Sequence, residues 1–257
     1  MPGVEDLPDP APLGRRYPAP LSARRALAVI DMLRLPPAGR VLDLAAGTGG
    51  LLLDAMALNE GRGLGLVASA ADATLARAAA LREGLAGRVE FRTGSPEEFV
   101  AGERYDAILL VQPTALTEGA AERAAARCRD WLKVGGVLVI GQPFLRRPPP
   151  PGYRALLGAA GQSLKGTGAS AGAIVAAGYE LMLTAVCSES EWDAHESASY
   201  RARLKHAAAF SDAHAARALK ERAETWYHAY WRYGRDTLGF ALHAFRKPRG
   251  LVPVIAG

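Results

Sequence analysis

Apolar and polar positions alternate between two periods along this chain of 257 residues. Residues 21–35 place Leu21, Leu27, Ile30, Leu33 and Leu35 close to helical spacing, with Ser22 in position to cap the N-terminus. The prolines and glycine of 36–39 then end the helix. From residue 40 the period switches repeatedly. Strands are expected at about 40–46, 63–69, 89–94, 105–111 and 135–144, and helices at 49–59, 72–85 and 118–134. A short helix is expected at 95–100, with Ser95 as cap and Pro96 at its first position. Apolar runs of about five residues separated by helices imply parallel strands buried on both faces. The fold class expected is α/β, with a doubly wound, mostly parallel sheet.

The second half reads less regularly. "RRPPPPGY" (146–153) reads as a rigid extended loop, and 154–178 carries weak helix signals around "GTGASAG". Residues 179–186 form a strand. Two long helices follow, one starting at Ser188 or Ser190 and the other at Ser211 or Asp212. "DTLGFALHAFRKP" closes the pattern as a strand pairing antiparallel with 179–186 at the sheet edge. Residues 1–20, rich in proline, read as a flexible arm. Residues 21–257 read as one domain, with helical insert or cap segments at 146–178 and 189–234.

Composition changes this picture little. Hydrophobic residues make up 49% and charged residues 22%, ordinary for a globular protein. No apolar stretch is long enough to span a bilayer, and the start lacks the pattern of a secretory signal, so a cytoplasmic location is expected. The net charge of +5 comes from arginines scattered among acids, not from a basic block with interleaved aromatics. A nucleic-acid partner is therefore not expected. Cys128 and Cys187 have no metal-type spacing and read as buried thiols. The histidines lack ligand spacing, so no metal is expected.

The candidate chemistry starts at "VLDLAAGTGG" (41–50), where one acid, Asp43, ends an apolar run and small residues follow. Such a turn lets a ligand approach the main chain at a helix N-terminus. A dinucleotide and an adenosyl sulfonium are the two candidates. Counting from Gly47 gives Gly49, then Leu52 where a dinucleotide fingerprint needs its third glycine. A pyrophosphate would also be repelled by Asp43, whereas a sulfonium carrying an amino group would tolerate it.

This motif resembles the first motif of the class I S-adenosylmethionine (SAM)-dependent methyltransferases. "VEFRTGSPEEF", "YDAILLV" and "WLKVGGVLVIGQPF" resemble the motifs of that family's third, fourth and fifth strands. "WDAHE" and "YWRYGRDTLGF" resemble the C-terminal half of bacterial small-molecule members. The resemblance implies a seven-stranded sheet whose last strand is antiparallel, with SAM as cofactor. It also implies methyl transfer to an O, N or S atom of a small molecule. It assigns Asp43, Ala45, Gly47, Gly49, Ser69, Ala70, Gly94, Ser95, Pro96 and Val111 to the cofactor. Gln112, Thr114, Gln142, Trp192, Glu196 and Arg235 fall to the acceptor, and His195 and Tyr230 to catalysis. A homodimer is the one macromolecular partner state expected.

Four positions depart from the family pattern, and the first is Ala45, which replaces the first glycine of motif one and crowds the cofactor with a methyl group. Ser69 stands where an acid at the second strand's end binds the ribose, with Asp72 as an alternative reach. Ser95 stands for an acid near the adenine amine, and Gln142 is neutral where related chains carry an acid. A second reading follows from these: a methyltransferase-fold protein with reduced catalysis, serving as a binding or interaction subunit. Trp226, Tyr230 and Tyr233 also recur at helical spacing, as core residues do.

Overall fold

The computed structural model describes residues 16, 17, 19–111 and 120–250. Seven strands form one sheet: β1 (Arg40–Asp43), β2 (Arg62–Val67), β3 (Val89–Thr93), β4 (Tyr105–Val111), β5 (Leu132–Leu145), β6 (Glu180–Val186) and β7 (Leu238–Arg246). Their order is β3-β2-β1-β4-β5-β7-β6. β7 runs antiparallel to both neighbours, while the pairs from β3 to β5 are parallel. The closing strand pairs with β6 as expected. It does not lie at the edge, however, because it is inserted between β5 and β6.

Helices cover both faces, as strands apolar on both sides demand. On one face α1 (Ala23–Met32), α2 (Gly50–Ala57) and α3 (Ala70–Arg82) pack Val29, Ile30, Leu52, Met56 and Ala76 against Val41, Val67 and Leu109. On the other, α4 (Ala120–Trp131), with Ala125 and Cys128, and α6 (Thr167–Ala176), with Ile174, cover Leu42, Ile108 and Leu138. Both cysteines are free and buried. The C-terminal half adds α5 (Pro151–Ser163), α7 (Glu189–Ala208) and α8 (Ala213–Ala229), which continues into a π-helical turn at Tyr230–Gly234.

Three local expectations change. The proline run does not stay extended through 153: α5 begins at Pro151, where a fixed φ and a missing N–H suit a helix's first position. The expected helix at 95–100 is only a turn. Phe99 donates its N–H to the Ser95 carbonyl at 3.1 Å and the pattern stops there, since six residues cannot sustain a helix without packing. The arm is anchored where it is described. Tyr17 and Ala19 are buried, and the Tyr17 hydroxyl donates to Asp54 at 2.5 Å. Arg16 pairs with Asp54 and Glu83.

Candidate cofactor and acceptor site

The sheet order places a topological switch at β1. The chain leaves β1 to form β2 on one side, and later returns to lay β4 on the other. In open α/β sheets a crevice opens at such a point, beyond the carboxyl ends of the strands. Asp43 ends β1 there, with Gly65 of β2 and Leu109 of β4 as its cross-strand partners. The loop that follows is clamped to both neighbours: the Leu44 N–H reaches the Leu109 carbonyl, and the Ala46 N–H the Leu66 carbonyl, each at 2.9 Å.

Asp43 is 3% exposed. Burial pushes its carboxyl pKa up to about 7, opposed by one hydrogen bond from the Ala45 N–H at 3.1 Å. A buried acid so sparsely solvated gains most when a cation arrives.

The glycines of the loop serve more than a ligand. Gly47 and Gly49 have φ of 53° and 85°, the left-handed region that glycine enters without strain. A Cβ on Gly49 would stand 2.6 Å from the Phe91 ring, so its small size is required by the core. A Cβ on Gly50 would collide with the Arg16 carbonyl. Gly49 caps α2 with no side chain, so it adds no capping hydrogen bond to the helix's first N–H groups.

The second-strand position needs correction. β2 ends at Val67, which is buried, and Ser69 lies two residues beyond it as the N-cap of α3. The Ser69 hydroxyl accepts from the Asp72 N–H at 3.1 Å and donates to the Asp72 carboxylate at 2.7 Å. It is engaged in ending the helix, and the strand terminus itself is apolar. Ala70 is the exposed first residue of α3. At the end of β3, Gly94 donates to the Val67 carbonyl. Ser95 donates to Glu97 at 2.6 Å, which helps hold that carboxyl below its usual range, and Pro96 is half-buried. Asp72 and Glu97 are therefore the carboxylates presented beside these two serines, and sequence reasoning weighed only the first.

Val111, the remaining cofactor position, closes β4 and touches the space over Gly141. Gln142 is buried in β5 opposite Ala241. Gln112 and Thr114 lie outside the described residues. α7 follows directly from β6 and so starts at the carboxyl edge. On it Trp192 lies 6.2 Å from the Phe240 ring, its indole N–H buried without a partner among the described residues. Glu196 is buried and accepts from the Trp226 indole at 2.9 Å. His195 beside it is half-buried.

Tyr230 is not placed as a catalytic hydroxyl. It is 1% exposed and donates to Asp193 at 2.6 Å; burial and that carboxylate hold its proton far above the ordinary tyrosine range. Arg235, expected to meet substrate, instead clasps Asp193 at 3.0 Å and Glu189 at 3.1 Å. Asp193 is thus the hub joining α7 to the π-helical turn, a role that its place in "WDAHE" does not reveal. Tyr153 of α5 is the other residue missed. Its hydroxyl is buried without a partner among the described residues, and a Cβ on Gly234 would sit 2.5 Å from it.

A family model described as a methyltransferase domain matches residues 41–136. The uncharacterized protein YjhP of Escherichia coli (strain K12) is 25% identical over 229 residues, spanning 88% of this chain and 91% of that protein. Its X-ray structure matches with a TM-score of 0.79 at 24% identity, covering 90% of this chain and 95% of that one. A SAM-dependent methyltransferase from Thiobacillus denitrificans, in complex with S-adenosyl-L-homocysteine, matches with a TM-score of 0.79 at 22% identity over 90% of this chain and 94% of its own. One from Geobacter sulfurreducens, in the same complex, matches with a TM-score of 0.79 at 23% identity over 92% and 95%. Residues 41–136 are therefore similar to a methyltransferase domain, and the chain has the fold of the class I SAM-dependent methyltransferases.

Proposed function

We propose that the protein binds SAM and transfers its methyl group to an O, N or S nucleophile of a small molecule in the cytoplasm. The observation that carries this reading is the buried Asp43 carboxylate at the switch point, directly under the loop from Ala45 to Gly49. An adenosyl amino acid fits a site of this kind. Its ammonium matches the raised acid, and its body can lie along a main chain kept bare by Ala45 and Gly47. Gly94 and Ala70 flank the adenosine side, where Asp72 and Glu97 offer acceptors through their serines.

Bound SAM supplies an already activated methyl group, so the chain's task is alignment and exclusion of water. Val111 would line the cofactor, and Gln142 and Trp192 would face the acceptor. His195 would take a proton when the nucleophile carries one at working pH. Glu196, held by Trp226, would orient an acceptor group from the same helix.

The neutral end of β2 and the engaged hydroxyls of Ser69 and Ser95 favour a second reading: a methyltransferase fold retained for binding alone. Calorimetry with SAM and S-adenosylhomocysteine tests the first. Absence of binding at millimolar ligand ends both the transferase and its cofactor. Tight SAM binding without transfer to O, N or S acceptors supports the second.

A further inference from the structure

The crossover from β3 to β4 contains no helix, so near the sheet's amino-terminal edge one face is covered only by a loop, whose Phe99 and Ala101 pack on the same apolar cluster as Leu64. Leu64, in the middle of β2, is only half-buried there. The result is a groove of about 510 Å³, large enough for a small molecule. Four arginines from separate points of the chain line it: Arg40, Arg62, Arg88 and Arg92, against Glu90 and Glu103.

Arg40 and Arg62 are register partners on adjacent parallel strands, so their side chains leave the same face about 4.8 Å apart. Like charges so placed repel. Glu103 pairs with Arg40, and Glu90 with Arg92 at 2.6 Å. Arg62 has no side-chain partner among the described residues. Arg88 is fixed through one nitrogen to the Asn59 and Gly61 carbonyls, at 2.6 and 3.2 Å, and its remaining donors have no partner among the described residues. The groove thus keeps one oriented guanidinium and one unpaired one over an apolar floor of Leu64 and Tyr105.

We propose that this groove is a second ligand site, for a phosphorylated small molecule. The guanidinium fork matches phosphate oxygens in geometry and charge, and two forks converging on one cleft suit a phosphate better than a lone cation does. The site is separate from the methyl-transfer crevice. β2 runs from Arg62 at the groove to Val67 at the crevice, a span of roughly 16 Å, at ~3.3 Å per residue. A phosphorylated body held here is therefore a second ligand, not the reacting group, and the inference stands whether or not SAM binds.

Inorganic pyrophosphate titrated calorimetrically into the full chain at low ionic strength is the test. The expected result is saturable one-to-one binding that added salt weakens. Arg62→Glu should weaken it at least tenfold. Arg246→Ala, on the far side of the sheet, should not change it, nor should saturation with S-adenosylhomocysteine. The Arg62 N–H donates to the Gly39 carbonyl, but its exposed side chain has no partner among the described residues, so R62E should not lower the melting temperature; R92A serves as a second variant. The proposal is overturned by absence of saturable heat up to roughly 10 mM pyrophosphate. It is equally overturned by binding that R62E and R92A leave intact, that R246A weakens as much, or that S-adenosylhomocysteine displaces.

Discussion

Arg25 and Glu191 lie 166 positions apart and meet through two guanidinium nitrogens, Nη2 standing 2.8 Å from Oε2. The same carboxylate accepts from the Ser22 N–H and hydroxyl, and from the Ser188 N–H at 2.7 Å. One side chain therefore completes the caps of α1 and α7 together. It fixes the helix bearing Trp192, Asp193 and Glu196 to the helix that precedes β1.

Glu191 links stability to pH in a defined direction. Burial opposes its charge, but hydrogen bonds from Arg25, Ser22 and Ser188 outweigh this and hold its pKa at about 2. The unfolded value is about 4.3. Its contribution is then fully present above the unfolded value and lost as pH falls from there toward 2. Glu191→Gln should destabilise the protein at pH 7 by about 2 kcal/mol. Urea unfolding at pH 7 and pH 3 should show the gap between the two proteins shrinking at the lower pH; an equal gap at both would refute the assignment.

Asp43 behaves in the opposite sense. Its folded pKa of about 7 lies above the unfolded carboxyl value of about 3.9, so the free protein loses stability as pH rises between the two. Asp43→Asn should raise the melting temperature at pH 8 and change it little at pH 4. The same variant should bind SAM at least tenfold more weakly. Wild-type affinity should climb from pH 6 to pH 8 as the acid ionises. A melting temperature lowered by the substitution at pH 8 would show that burial does not dominate the carboxylate's energetics.

Gly49→Ala places a methyl group 2.6 Å from the Phe91 ring at a φ of 85°. The two penalties together should cost about 2–4 kcal/mol. Phe91→Leu in the same chain should restore part of this loss, measured by urea midpoints. If the double variant is as unstable as the two single effects added together, the contact is not what constrains the loop.

Ser69→Ala removes a helix cap and should cost about 1 kcal/mol. S-adenosylhomocysteine affinity should stay within a factor of about two, since the hydroxyl is directed at Asp72. Asp72→Asn, by contrast, should weaken binding. A large loss of affinity in S69A with unchanged stability would return this serine to the ribose.

The alternation of periods from residue 40 onward determined most of the fold. Apolar runs such as Ile108–Val111 have no polar face to offer water, so they require a sheet covered on both sides, and the Gly-rich turn after Asp43 follows from local backbone freedom. The cap at Ser22 was legible for the same reason, being a short-range hydrogen bond, while the structure chose Ser188 over Ser190 and Asp212 over Ser211. Other features rest on residues far apart in the chain, whose meeting no local pattern encodes. Only the tertiary structure brings Asp193 to Tyr230 and Arg235, sets Phe91 beneath Gly49, and turns Ser69 from the strand end to a helix cap. The insertion of β7 between β5 and β6 and the groove beside Arg62 belong with these, because pairing partners and the gathering of distant side chains are properties of the assembled sheet.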